Sequence, residues 1–161
     1  MTGQTQTTQV ASQGEREIVT ERVFDAPRER VFQAYTDPEL IVQWWGRRQD
    51  TTTIDKMDVR EGGDWRLLTD APDGSHAFRG TYRIIQPPEL LEQTFEWEGM
   101  PGYVVVERAE FEDLGDGRTK LTTRSLFHTT EERDGMLASG MEKGLTESYE
   151  RLDELLAGAG A

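Results

Sequence analysis

From residue 51 to residue 127, apolar and polar side chains alternate with a period of two, interrupted by clusters of turn residues. The pattern predicts strands over 52–59, 65–70, 77–85, 90–97, 104–112 and 119–127. The interruptions are Glu61-Gly62-Gly63, Asp73-Gly74, Pro87-Pro88, Gly99-Met100-Pro101-Gly102 and Gly115-Asp116-Gly117. Spacings this short imply consecutive antiparallel hairpins. A β-branched alternating run over 18–24 adds a seventh strand ahead of them. After it, Asp25-Ala26-Pro27 and Asp37-Pro38 each carry a helix-start signal, predicting short helices over 28–36 and 39–45. Gly46 ends the second of these.

The period changes again after Thr129, which forms a capping box with Glu132. Residues 131–157 then read as one long helix, with Leu137, Met141, Leu145, Leu152, Leu155 and Leu156 along one face. Gly140, Gly144 and Ser148 fall four apart on an adjoining strip. An interior glycine costs a helix about 0.5–1 kcal/mol relative to alanine, so a ridge of small residues calls for a reason. Either another element presses against it or a space is kept open beside it.

One strand, two short helices, six strands and a long helix form an α+β order. A seven-stranded antiparallel sheet has to cover its apolar face, and the C-terminal helix is the element long enough to do so. The predicted fold is a curved sheet wrapped around that helix, with the short helices closing one end. Alternation places Trp65 with Leu67, then Phe78, Gly80, Tyr82 and Ile84, on the inner face. It adds Leu91, Gln93, Phe95 and Trp97 from one later strand, and Leu121, Thr123, Ser125 and Phe127 from another. An aromatic wall with an amide and hydroxyls suits an apolar ligand with a polar handle, although inward aromatics also serve as plain core.

Composition narrows the function. The 161 residues suit a single domain over 15–158, and 35% hydrophobic content with 9% aromatics supports a core. Net charge is −13, which speaks against nucleic acid and anionic membrane as partners and favours solubility. The chain has no cysteine, which excludes disulfides and thiolate chemistry and suits a cytoplasmic setting. No apolar run reaches membrane-spanning length. Residues 1–14 are polar, rich in threonine and glutamine, unlike a signal peptide, and are expected to form a poorly ordered tail.

The residues also resemble a known family. The matching pieces are Val23-Phe24-Asp25-Ala26-Pro27-Arg28-Glu29-Arg30-Val31-Phe32, Trp44-Trp45-Gly46, and Asp58-Val59-Arg60-Glu61-Gly62-Gly63-Asp64-Trp65. Further along come Phe111-Glu112-Asp113-Leu114-Gly115, Thr119-Lys120-Leu121-Thr122 and Tyr149-Glu150-Arg151-Leu152-Asp153-Glu154-Leu155-Leu156. Together they resemble a START-like (SRPBCC, helix-grip, Bet v 1-type) domain of the bacterial single-domain kind, in the subfamily named after the activator of the heat-shock protein 90 ATPase. The resemblance implies a helix-grip fold with a cavity between sheet and helix, often for lipids, polyketides or other hydrophobic molecules. Arg47 departs from the proline that commonly follows Trp-Gly in the subfamily. The eukaryotic co-chaperone resembles this chain only in its C-terminal domain.

Candidate chemistry is sparse. Strict alternation from Tyr103 through Val105, Ala109 and Phe111 turns Glu107 inward, where a lone carboxylate would take up a proton more readily and could act as an acid or base. A bulge, a strand edge or pairing with Arg124 would remove that environment. His76 and His128 flank turns without a second ligand at metal spacing, and neither a Gly-x-Ser-x-Gly motif nor a phosphate loop occurs. No cofactor or metal is expected. Adjacent Trp44 and Trp45 point about 100° apart on a helix, so one belongs to the core and the other to the cavity mouth. The expected function is sequestration of a small hydrophobic ligand. The cavity would be lined by Trp45, Trp65, Phe78, Tyr82, Gln93, Phe95, Trp97, Glu107, Thr123, Ser125, Leu137, Gly140, Met141, Gly144 and Ser148. The alternatives are a surface that binds a chaperone or a second copy of the chain, and a cavity enzyme of the polyketide cyclase or hydrolase kind using Glu107 or His76.

Overall fold

A computed structural model describes residues 7–159. The chain order is β1 (Gln9–Gln13), β2 (Glu17–Phe24), α1 (Arg28–Thr36), α2 (Pro38–Ile41), β3 (Thr51–Met57) and β4 (Asp64–Ala71). It continues with β5 (Gly74–Gln86), β6 (Leu90–Trp97), β7 (Val105–Asp113), β8 (Thr119–Leu126), α3 (Thr130–Ala138) and α4 (Met141–Ala159). All strands join one antiparallel sheet in the order β1-β2-β8-β7-β6-β5-β4-β3. Helices cover its inner face. This is the helix-grip architecture, with eight strands where seven were expected.

The extra strand lies in the stretch read as a tail. Gln9–Gln13 pairs with β2 from Gln9↔Glu21 to Gln13↔Glu17. Four of its five residues are exposed, so the backbone ladder holds this edge strand with little side-chain burial. The remaining residues of the expected tail before Thr7 lie outside the described part of the chain.

The expected second helix is shorter than 39–45. Asp37 caps it by accepting from the Glu39 backbone N–H at 2.8 Å, yet regular helix ends at Ile41 and turns carry the chain to Gly46. The expected C-terminal helix is two helices. Thr129 caps the first of them, its hydroxyl accepting from the Glu132 N–H at 3.1 Å and donating to the Glu132 carboxylate at 3.2 Å, a contact that takes the place of the expected box's reciprocal backbone bond. The helix then stops at Ala138, because Gly140 adopts φ +84, a left-handed conformation that ends a helix and that glycine takes without strain.

α4 buries Ser148, Tyr149, Leu152 and Leu156 against the sheet. α1 and the α2 turn close one end through Val31, Phe32 and Trp44, which pack on Phe111, Phe24 and Tyr149. Trp44 Nε1 donates to the Ala34 carbonyl at 2.9 Å, satisfying the indole inside the core. Arg22, 2% exposed on the inner face of β2, pairs with Asp153 of α4 at 2.9 Å.

One inner-face assignment shifts. The β5–β6 register slips between Tyr82 and Ile84, so Ile85 opposes Leu91 and joins the core instead of Ile84. A bulge inserts one residue and reverses the alternation beyond it.

Candidate functional site

The sheet and α4 do not close on each other along their whole length. Between them lies a hollow of about 640 Å³, open at one end. Its wall comes from β4 to β8 and β2, its roof from α3 and α4, and its floor from α1 and the Trp44–Asp50 turn.

Most of the expected lining residues meet there. Trp45, Phe78, Gln93, Phe95, Trp97, Glu107, Thr123, Ser125, Met141, Gly144 and Ser148 all border the hollow. Trp65 and Tyr82 do not. They face a side chamber of about 60 Å³ that shares Tyr35, Trp45, Gln93 and Glu107 with the main hollow. Both are nearly fully buried and belong to the core, with Trp65 lying over Gly80. Leu137 packs instead in a satellite cluster with Ile18, Val105 and Phe127. Gly140 borders neither chamber, and an added Cβ would meet no heavy atom within 4 Å.

The small-residue ridge therefore splits into three functions. Gly140 terminates α3. Ser148 is a clamp: its hydroxyl donates to the Trp44 carbonyl at 3.0 Å and accepts from the Gly46 N–H at 3.3 Å. Gly144 keeps space, since a Cβ there would meet only the Arg47 stem at 3.7 Å.

The two halves of the hollow differ in chemistry. Toward the mouth, Trp45 meets Phe78 edge-on at 5.1 Å and Phe78 stacks on Phe95 at 5.5 Å. His76, on which the cavity-enzyme alternative draws, joins this group with its ring 5.6 Å from Trp97. Arg47 lies along the rim, tied to Asp50 at 3.0 Å and to Asp73 at 3.4 Å. Deeper in, a polar row crosses the sheet. Tyr82 opposes Gln93, Gln93 opposes Glu107, and Glu107 opposes Ser125, each pair in direct register. Side chains so placed have Cβ atoms about 5 Å apart.

Glu107 is the unusual member of that row. The β6–β7 and β7–β8 registers run without a slip, so the bulge that would have freed it is absent. Arg124 pairs with Glu110 on the opposite face and does not reach it. Among the described residues Glu107 has no ion pair, and burial raises its pKa from 4.5 to about 7. Its remaining accessible surface faces the hollow.

Sequence reasoning passed over two tyrosines. Tyr35 of α1 and Tyr149 of α4 line the hollow, and the Tyr35 hydroxyl donates to the Tyr149 hydroxyl at 3.4 Å. Burial raises the pKa of both phenols, so they remain neutral donors. The signal for Tyr149 was present: it falls four residues after Leu145 and three before Leu152, on the buried stripe. No group of side chains fit for a metal occurs among the described residues, and no described helix is long and apolar enough to cross a membrane.

Comparison with known proteins follows this geometry. No curated protein matches the sequence. A crystal structure of a Rhodobacter sphaeroides protein is similar at TM-score 0.87 and 25% identity, covering 94% of this chain and 99% of that one. A solution structure from Arthrobacter aurescens is similar at TM-score 0.84 and 26% identity, covering 92% and 91%. Another, from Staphylococcus epidermidis, gives TM-score 0.78 at 26% identity, covering 92% and 93%. The family model described as Activator of Hsp90 ATPase homolog 1-like protein matches residues 25–157, and the chain belongs to that family.

Proposed function

We propose that this protein binds and sequesters a small hydrophobic molecule in the hollow between its sheet and α4, in a cytoplasmic setting. The carrying observation is the hollow itself, about 640 Å³ inside a domain whose other end is tightly filled. Protein interiors pack at crystal density, and a void of this size is costly unless something occupies it. Its volume falls in the range of small-molecule sites, and its wall combines aromatic rings with a few polar groups. Each ligand methylene moved from water would contribute about 0.8 kcal/mol, so a ten-carbon body supplies about 8 kcal/mol before association costs, and the polar groups of the wall have to add to it.

Two other readings fit less. A chaperone-binding surface, which the family's name suggests, would leave this hollow without a task. A cavity enzyme needs a second group beside Glu107 that exchanges protons near neutral pH, and burial raises the pKa of its phenolic neighbours and keeps them protonated.

Gly144→Leu tests the proposal. The backbone there tolerates a Cβ, and the rest of the leucine would extend into the hollow. Titration of an apolar fluorescent probe should show at least about a tenfold loss of binding, with thermal unfolding little changed. Unchanged uptake would refute the proposal.

A further inference from the structure

A carboxylate enclosed without a partner is an expensive thing to keep in an apolar hollow. Its surroundings show what is missing. From β6 and β8 it faces Gln93 and Ser125, both neutral. From α1 and α4 it faces Tyr35 and Tyr149, whose phenols stay protonated. From β2 the hollow receives Ile18 and Thr20. The cationic Arg47 is held at the rim by Asp50 and Asp73, and Arg22 is engaged by Asp153. His76 sits among the mouth aromatics. The lining thus holds two carboxylates amid donors and aromatic faces, Asp50 paired with Arg47 at the rim and Glu107 with no cation paired to it among the described residues.

Building on the proposed binding role, we infer that the occupant carries a protonated amine on its apolar body, seated against Glu107. An ammonium supplies the charge-assisted hydrogen bonds that Gln93, Ser125 and the tyrosines cannot. The aromatic rings nearer the mouth accommodate the body and attract a passing cation. The overall charge of −13 favours approach of cations over anions. A carboxylate ligand would instead place two negative groups together in a site of low dielectric, and an alcohol would leave Glu107 uncompensated.

Decylamine, decanol and decanoate separate these cases, read by quenching of tryptophan fluorescence at about pH 8, where Glu107 is mostly ionised and the amine protonated. Decylamine should bind at least about tenfold more tightly than decanol, with decanoate weakest. Glu107→Gln should bring decylamine to within about threefold of decanol. Calorimetry of the unmodified protein at about pH 7, in buffers of different ionisation enthalpy, gives a readout independent of any variant. About half a proton should leave per decylamine bound and almost none per decanol, because the ammonium favours the ionised carboxylate. Equal affinity for amine and alcohol, an amine preference that survives Glu107→Gln, or equal proton release by both would overturn the inference while the cavity reading stands. Failure of all three probes to bind would overturn both.

Discussion

Trp44 and Trp45 are neighbours in sequence and both border the hollow, yet one is anchored in the packed core and the other lies among the mouth aromatics. Trp44 is 2% exposed, hydrogen-bonded to Ala34 and packed against Tyr35 and Tyr149. Trp45 turns the other way, onto Phe78 and the hollow. The same sheet and the same helix face both. The difference lies in what reaches the middle. At the closed end, α1 and the α2 turn press Phe32 and Trp44 between sheet and α4. At the open end α4 offers Gly144, the helix has broken at Gly140, and no side chain of the described residues spans the gap. A helix-grip domain can thus be packed solid at one end and hollow at the other, with a single turn of chain dividing them.

That division predicts unequal responses to the same kind of truncation. Leu152 is fully buried at the closed end, so Leu152→Ala should cost about 2–5 kcal/mol, measured by denaturant unfolding. Phe78→Ala removes a larger side chain but should cost only about 1–2 kcal/mol, because part of its ring already faces empty space. Equal losses would mean that the two ends share one packed core.

A second contrast is electrostatic. Glu107 holds its proton more tightly in the folded state, with its pKa raised from 4.5 to about 7. Below the lower value both states are protonated and burial of the group costs nothing through ionisation. As pH rises from 4.5 to about 7 the unfolded state ionises first, and stability falls. At 1.36 kcal/mol per unit, the cost above about pH 7 is roughly 3 kcal/mol. Glu107→Gln should therefore be more stable than the parent by up to roughly that amount at pH 8, and by little at pH 4. Parallel stability curves for the two proteins would show that the carboxylate is not desolvated.

The strands, the paired helix starts and the Thr129 cap were legible because each depends on local patterning: alternation over 90–97, Pro27 and Pro38, and Thr129 ahead of the acidic first turn. For Glu107 alternation allowed an inward turn without deciding it against a bulge or a pairing with Arg124, and the unbroken registers on both sides decide it. What could not be read depends on partners elsewhere in the chain. β1 has a mostly polar sequence and exists through its ladder with β2. The slip after Tyr82 is a property of how β5 meets β6, and it exchanges Ile84 for Ile85 in the core. Gly140 carried a helix-stop signal, but its four-residue spacing to Gly144 and Ser148 suggested a continuous ridge. The three share a spacing without sharing a purpose.

The smallest expected effect tests that last point. Within α4, Gly144 lacks a positive φ and has room for a Cβ, so Gly144→Ala should stabilise the protein by about 0.5–1 kcal/mol through helix propensity. Gly140 also has room, with no heavy atom near, but its φ of +84 penalises any side chain, and Gly140→Ala should destabilise by about 1 kcal/mol. Thermal unfolding of the two alanine variants would then move in opposite directions. Movement in the same direction would mean that α3 and α4 run on as one helix, and that Gly140 and Gly144 belong to a common ridge after all. Opposite movement locates the open space of the hollow at Gly144 alone, where a single methyl group is harmless and a leucine is not.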